Sequence, residues 1–172
     1  MPANPLSATL QKMGNARDRE AVRMLAQAAY NYLSSKTLAT AGLVITGAGG
    51  TTAKTGASAY RALAGGTYIG VAAGTTLPAL VGTVANGSFN VFVFSADAAG
   101  AVAVQMGAAG ASLAAVRFPP VADRRAVLGY VEVHPTGTGS FVGGTTPLDD
   151  ATVVPNALFV STGGHFDQLA IF

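Results

Sequence analysis

The sequence predicts a mainly β protein: an antiparallel β-sandwich or jelly-roll-like barrel, preceded by an extended N-terminal arm and one amphipathic α-helix. Three observations predict it. From Thr37 onward, short runs rich in Val, Ile, Thr, Phe and Tyr alternate with Gly, Pro, Asn and Asp clusters. Before that point a single stretch repeats its apolar residues at spacings of three and four. Before the helix, residues 1–14 carry Pro2, Pro5 and Gly14 and show no apolar period at all. Two units are expected, an attachment and oligomerisation segment over 1–36 and a β-sandwich domain over 37–172.

The helix is expected over Asn15 to Lys36. Asn15 suits the N-cap, and Asp18 and Glu20 place negative charge where the helix dipole favours it. Val22, Leu25, Ala26, Ala29, Tyr32 and Leu33 share one face, while Arg17, Arg19 and Arg23 lie largely away from it. No second helical stripe exists to cover this face, so it must pack on the β-domain or on another molecule.

The clearest strands are "LVIT", "TYIGVA", "FNVFVFS", "AVAVQM", "AVLGYVEVH" and "ALFVST". Phe89–Ser95, Asp97–Gly100 and Ala101–Met106 read as a hairpin with a glycine-containing loop. Its first strand is apolar on both faces, which predicts cover on both. Its second turns Val102, Val104 and Met106 one way. Ala126–His134 is expected to alternate, with Val127, Gly129, Val131 and Val133 on one side and Leu128, Tyr130, Glu132 and His134 on the other. Pro119–Pro120 marks a connection. Gly-Thr-Thr recurs at Gly50, Gly74 and Gly144 without a constant spacing, which reads as turn chemistry and not as a repeat fold.

Composition narrows the function classes. Only 10% of residues are charged, against about 25% in an average globular chain. Between Thr37 and Val116 the charges are Lys54, Arg61 and Asp97 alone. Such a body suits burial against other subunits better than an open surface. The formal net charge of +2 offers no field for nucleic acid. The absence of cysteine excludes disulfides, thiolate metal sites and a Cys nucleophile. No signal peptide or membrane-spanning apolar run is expected, so synthesis is placed in the host cytoplasm with no export signal.

Each chemical motif meets a plainer alternative. "LVITGAGGTTAKT" resembles a phosphate-binding loop, but Ala48 and Ala53 stand where that loop needs glycine, and Thr52 breaks the dinucleotide pattern. Asp149–Asp150, with Asp123 and Asp167, could suggest Ca²⁺, but no D-x-D-x-D-G loop is present and a turn-capping role is favoured. His134 and His165 lack a nucleophile elbow, although Glu132 falls on the face of His134. Arg124–Arg125 beside Asp123 reads as a solvated loop or a contact through Arg forks. Tyr60, Tyr68, Tyr130 and Phe141 could form a sugar-binding platform, although core or interface is the commoner fate of such aromatics. In "SFVGGTTPLDD", Ser140–Asp150, the glycines and hydroxyls read as a tight turn. No catalytic, cofactor or metal residues are expected, and the chain is not expected to be an enzyme.

The segment Val116–Gly163 resembles virion proteins of tailed phages, the head fibre and head decoration family. The likeness is carried by Phe118–Pro120, a charged pair before a strand, "LGYVEV" at Leu128–Val133, then Phe141 with Gly-Thr-Thr and Leu148–Asp149. Arg124 stands where lysine is usual. The resemblance implies a trimeric β-rich protein on the outer surface of the phage head, a capsid cement bound to the major capsid protein. It implies no nucleic-acid, membrane or small-molecule partner. Attachment or oligomer contacts are expected at Pro2, Pro5, Leu6 and Leu10 in the arm and at Val22, Leu25 and Tyr32 on the helix. The alternative is a tail-fibre or adsorption protein that binds a host surface glycan.

Overall fold

The computed structural model describes residues 16–155 and 157–163. Helix α1 spans Ala16–Ser34 and is followed by eleven strands: β1 Lys36–Ala39, β2 Val44–Ile45, β3 Ala53–Lys54, β4 Tyr60–Ala64, β5 Thr67–Val71, β6 Thr83–Val84, β7 Asn90–Ala96, β8 Val102–Met106, β9 Ala126–Val133, β10 Phe141–Val142 and β11 Leu158–Ser161. All pairings are antiparallel. A three-stranded sheet runs β1-β4-β5 and a four-stranded sheet runs β11-β9-β7-β8, with two-stranded ladders β2-β3 and β6-β10 beside them. The sheets are open at their edges, so the architecture is a sandwich and not a closed barrel. Asn15 and the arm residues Pro2, Pro5, Leu6 and Leu10 lie outside the described residues. Lys36, expected as the helix end, is instead the first residue of β1, because the chain pairs with β4 from that point.

One core joins the inner faces. Tyr60, Ala62, Ala64, Ile69 and Val71 from one sheet meet Phe92, Phe94, Leu128, Val131 and Val133 from the other, with Phe141 from β10 and Leu148 from the loop after it. Phe141 sets its edge toward Phe92 at 5.8 Å between centroids. β7 is buried along its whole length, as its two apolar faces predict. Phe92 and Phe94 enter the main core, while Val91 and Val93 join Val127 in a second cluster under Val116, Phe118 and Val121. The 107–125 connection therefore acts as a lid over the outer side of the central sheet. In β8, Val102, Val104 and Met106 share one side, as expected, and that side packs on the core.

The simple alternation expected for β9 fails. Phe94 pairs with Gly129 but Ser95 pairs with Val127, so Leu128 is an extra residue on the β9 side. This bulge shifts the side-chain phase. Leu128 joins Val131 and Val133 in the main core, and Val127 turns to the second cluster with Tyr130. Gly129 adopts φ 150° at the bulge, and a Cβ there would fall on the carbonyl oxygen of Val160 and within 2.7 Å of Leu43 Cδ1. β4, absent from the expected strands, is closed onto β5 by Gly65–Gly66, both at positive φ, in the two-residue hairpin geometry that glycine pairs favour.

The bulge also presents the Val127 carbonyl to the other sheet. It accepts from Thr162 Oγ1 at 2.6 Å, Thr37 Oγ1 at 2.9 Å and Tyr60 Oη at 3.1 Å. Thr37 and Tyr60 are themselves 3.1 Å apart. Burial pushes the Tyr60 phenol up to about 12, against a smaller opposing effect of the Thr37 hydrogen bond. The unfolded chain ionises this group near 10. Stability should thus be unaffected below about pH 10 and should fall as pH rises toward 12, by on the order of 2 kcal/mol. Urea titrations across that window should show the loss, and Tyr60→Phe should flatten it while costing about 1 kcal/mol at neutral pH. At the bulge, Gly129→Ala should cost about 3 kcal/mol or more, read as a lower urea midpoint, because β11 must move off β9.

Candidate interaction surface

Several of the described residues that could carry chemistry are used inside the fold. Asp149 takes the backbone N–H of Gly49 with both carboxylate oxygens, at 2.9 and 3.2 Å. The glycine loop that resembles a phosphate cradle thus has one of its amides occupied by the chain's own carboxylate. Asp150 Oδ1 accepts from the Thr152 amide at 2.8 Å and the Thr152 hydroxyl at 2.6 Å. The Thr152 hydroxyl, then backbone N–H groups, hold its carboxyl below the usual carboxylate range. In the same stretch the Val142 amide donates to Thr146 Oγ1, the amides of Thr145 and Thr146 donate to the Val142 carbonyl, and Leu148 N–H reaches the Gly50 carbonyl. Ser140–Asp150 is a structural turn that pins the 47–50 loop to the core. Among the described residues no group of three His, Asp or Glu side chains could hold a metal ion.

His134 lies half-buried with its ring stacked on Phe89, centroids 3.6 Å apart. Lys54 sits in the β2-β3 ladder. His165 and Asp167 lie outside the described residues. The four aromatics of the candidate sugar platform do not form one. Tyr60 and Phe141 are fully buried, and Tyr130 is half-buried with its ring edge-on to Phe118 at 5.1 Å. Burial, then the Glu132 charge, raises the Tyr130 phenol above its ordinary value. Tyr68 alone of the four is exposed. Arg125, expected in a solvated loop or in a contact through Arg forks, is an internal clamp. Its guanidinium donates to Ser95 Oγ, the Ser95 carbonyl and the Ala101 carbonyl, and lies 3.5 Å from Asp97. It fastens both strands of the β7-β8 hairpin to the start of β9, and a one-residue reading of its charge could not reveal that. Arg124 is exposed at φ 66°, with its side chain against Gly65.

What the fold leaves uncovered is apolar. On α1, Leu25 is 70% exposed, Met24 64% and Tyr30 48%, while Val22 and Ala26 are half-buried. Tyr32 falls on the stripe of Val22 and Leu25 by spacing; its side chain lies outside the described residues. The helix is tied to the body at its C-terminal end. Gly66 N–H donates to the Ser34 carbonyl at 2.8 Å, Gly65 N–H donates to Ser35 Oγ at 3.1 Å, and the Tyr30 hydroxyl lies over Gly66. The β4-β5 hairpin that receives the helix belongs to the sheet whose outer face carries Leu38, Leu63 and Tyr68, with Arg61 laid across Gly70. Leu38 and Tyr68 are also exposed. This second apolar area was not legible from spacing, since it exists only once β1, β4 and β5 are paired. No helix among the described residues is long and apolar enough to cross a membrane.

If Asp149 serves the fold and not a cation, Asp149→Ala should lower stability by less than about 1 kcal/mol, and EDTA should leave the melting curves of both proteins unchanged. A Ca²⁺-dependent rise in Tm that this substitution abolishes would contradict the assignment. Comparison with protein-family models, curated proteins and solved structures finds no match to this chain.

Proposed function

We propose that this chain is a virion structural protein of a tailed phage, a capsid cement that binds the outside of the head as an oligomer of three and stabilises the major capsid protein lattice. The observation that carries the reading is the exposed apolar helix, with Leu25 on its stripe and Met24 beside it turned to solvent, tied at its end to a body with only three charged residues between Thr37 and Val116. A 19-residue helix gains little stability from its own hydrogen bonds, and most helices depend on the packing of an apolar face. A body with three charged residues between Thr37 and Val116 is suited to contact with other protein. The resemblance of Val116–Gly163 to head decoration proteins supports the same reading, and those residues supply β9, the strand at the centre of the fold. The mechanism is passive. A protein that binds the assembled shell, and not the free capsid subunit, favours the shell by mass action, with about 2.7 kcal/mol per site at a hundred times Kd.

A second reading, an adsorption protein for a host surface glycan, is favoured by one observation. Tyr68 is exposed on a sheet face beside Arg61, and an open aromatic ring is the usual stacking partner of a sugar.

Gold-labelled antibody against the chain should decorate whole heads of intact virions, and addition of the purified protein to heads lacking it should raise their temperature of rupture. Labelling confined to the tail tip, together with loss of host adsorption in Tyr68→Ala, would instead establish the second reading.

A further inference from the structure

The structure assigns α1 a specific occupant: the same helix of two further copies of this chain, in a parallel three-helix seam over Val22–Leu33. Val22, Leu25, Ala29 and Tyr32 are spaced three, four and three, the a and d positions of a heptad repeat. The positions that flank such a seam are Ala21, Ala26, Ala28 and Leu33, without a charge among them. A two-stranded coil needs only the a and d stripe and usually carries charges beside it. An uncharged flank widens the face enough for each helix to touch two neighbours. Glu20 and Arg23 fall on the opposite side and are exposed, as a bundle requires. The described part of the chain holds no second α-helix that could fill the stripe.

Geometry adds two constraints. α1 is held by its C-terminal turn at Gly65 and Gly66, so a threefold axis along the helix brings every β-body to the same end and makes the helices parallel by symmetry. The seam is also short. Twelve residues span about 18 Å, and a strip about 10 Å wide buries roughly 200 Å², well under the roughly 800 Å² per partner of a stable interface. The remainder comes from the outer face of β1-β4-β5 with Leu38 and Tyr68, which adjoins the end of the helix. The association is therefore expected to depend on protein concentration. The copy number rests on the reading of a threefold cement; the seam itself does not.

The cysteine-free chain allows a direct test. In the full chain, Leu25→Cys should form a disulfide-linked pair under mild oxidation, because parallel, in-register helices bring both sulfurs to one level. Arg23→Cys, on the outer side, should not. Sedimentation equilibrium of the wild type should approach three chain masses at high concentration. Leu25→Glu should weaken association at least about tenfold with the β-sheet circular dichroism retained, since Leu25 is exposed in the isolated chain. A wild type that stays at one chain mass, equal cross-linking of both cysteine variants, or an unchanged mass for Leu25→Glu would overturn the seam. Head labelling without Leu25-dependent association removes the seam and keeps the cement; the opposite pair of results keeps the seam and removes the cement.

Discussion

Three hydroxyls on one carbonyl oxygen hold the two sheets in register. Thr37 from β1, Tyr60 from β4 and Thr162 beyond β11 all reach the carbonyl of Val127, which stands beside the extra residue of the β9 bulge. An unbonded carbonyl at this depth would cost a few kcal/mol, and so would each unbonded hydroxyl. The bulge and the hydroxyl cluster therefore require one another. Sliding β9 by one residue would strand Val127, rotate Leu128 out of the core and press Gly129 into the wrong position against Val160. The same solution recurs elsewhere in smaller form. Thr55 Oγ1 donates to the Ala72 carbonyl and accepts from the Thr75 amide, and Asn90 Nδ2 donates to the Gly107 carbonyl. Among the described residues no buried side-chain nitrogen or oxygen lacks a partner.

This economy explains how the interior of the body dispenses with charge. Its interior polar needs are met by neutral hydroxyls and one amide, and the strongest cationic fork, Arg125, is spent on closing a hairpin. Neutral donors cost less to bury than ions and need no counter-charge. A body so built can tolerate an outer surface of Thr, Ser, Gly and Ala, and such a surface is inexpensive to dehydrate when another protein covers it. The long-range hydroxyl bonds thus connect the internal wiring to the exterior character of the chain.

Much of this could be read from the residues, and the failures have physical causes. The burial of β7 on both faces followed directly from "NVFVF", and the β7-β8 hairpin from its aspartate and glycine. β4 escaped because Tyr60-Arg61-Ala62-Leu63-Ala64 alternates with alanine on the inner side, where a small side chain gives a weak apolar signal. The phase of β9 escaped because a bulge is a property of two paired strands, and only Gly129 hinted at it. The helix stripe was legible from spacing, whereas the exposed sheet face beside it was not. That Asp149 binds Gly49, one hundred residues away, lies beyond any local pattern.

A surface helix of a finished monomer lays its stripe on the core and shows its polar side to water. Here Leu25 is more exposed than any other leucine among the described exposed hydrophobics, while the end of the same helix is anchored by the amides of the Gly65–Gly66 turn, which donate to the Ser34 carbonyl and the Ser35 hydroxyl. An anchor of that kind fixes where the helix leaves the body and leaves Leu25 exposed. Covering Leu25 and Met24 intramolecularly would require the chain to bend at Ser35, yet Ser35 Oγ is engaged by Gly65 and Lys36 is already paired to Leu63. The constraint that joins the helix to the sheet is thereby the one that keeps Leu25 and Met24 off it, and the fold holds these two side chains in the open.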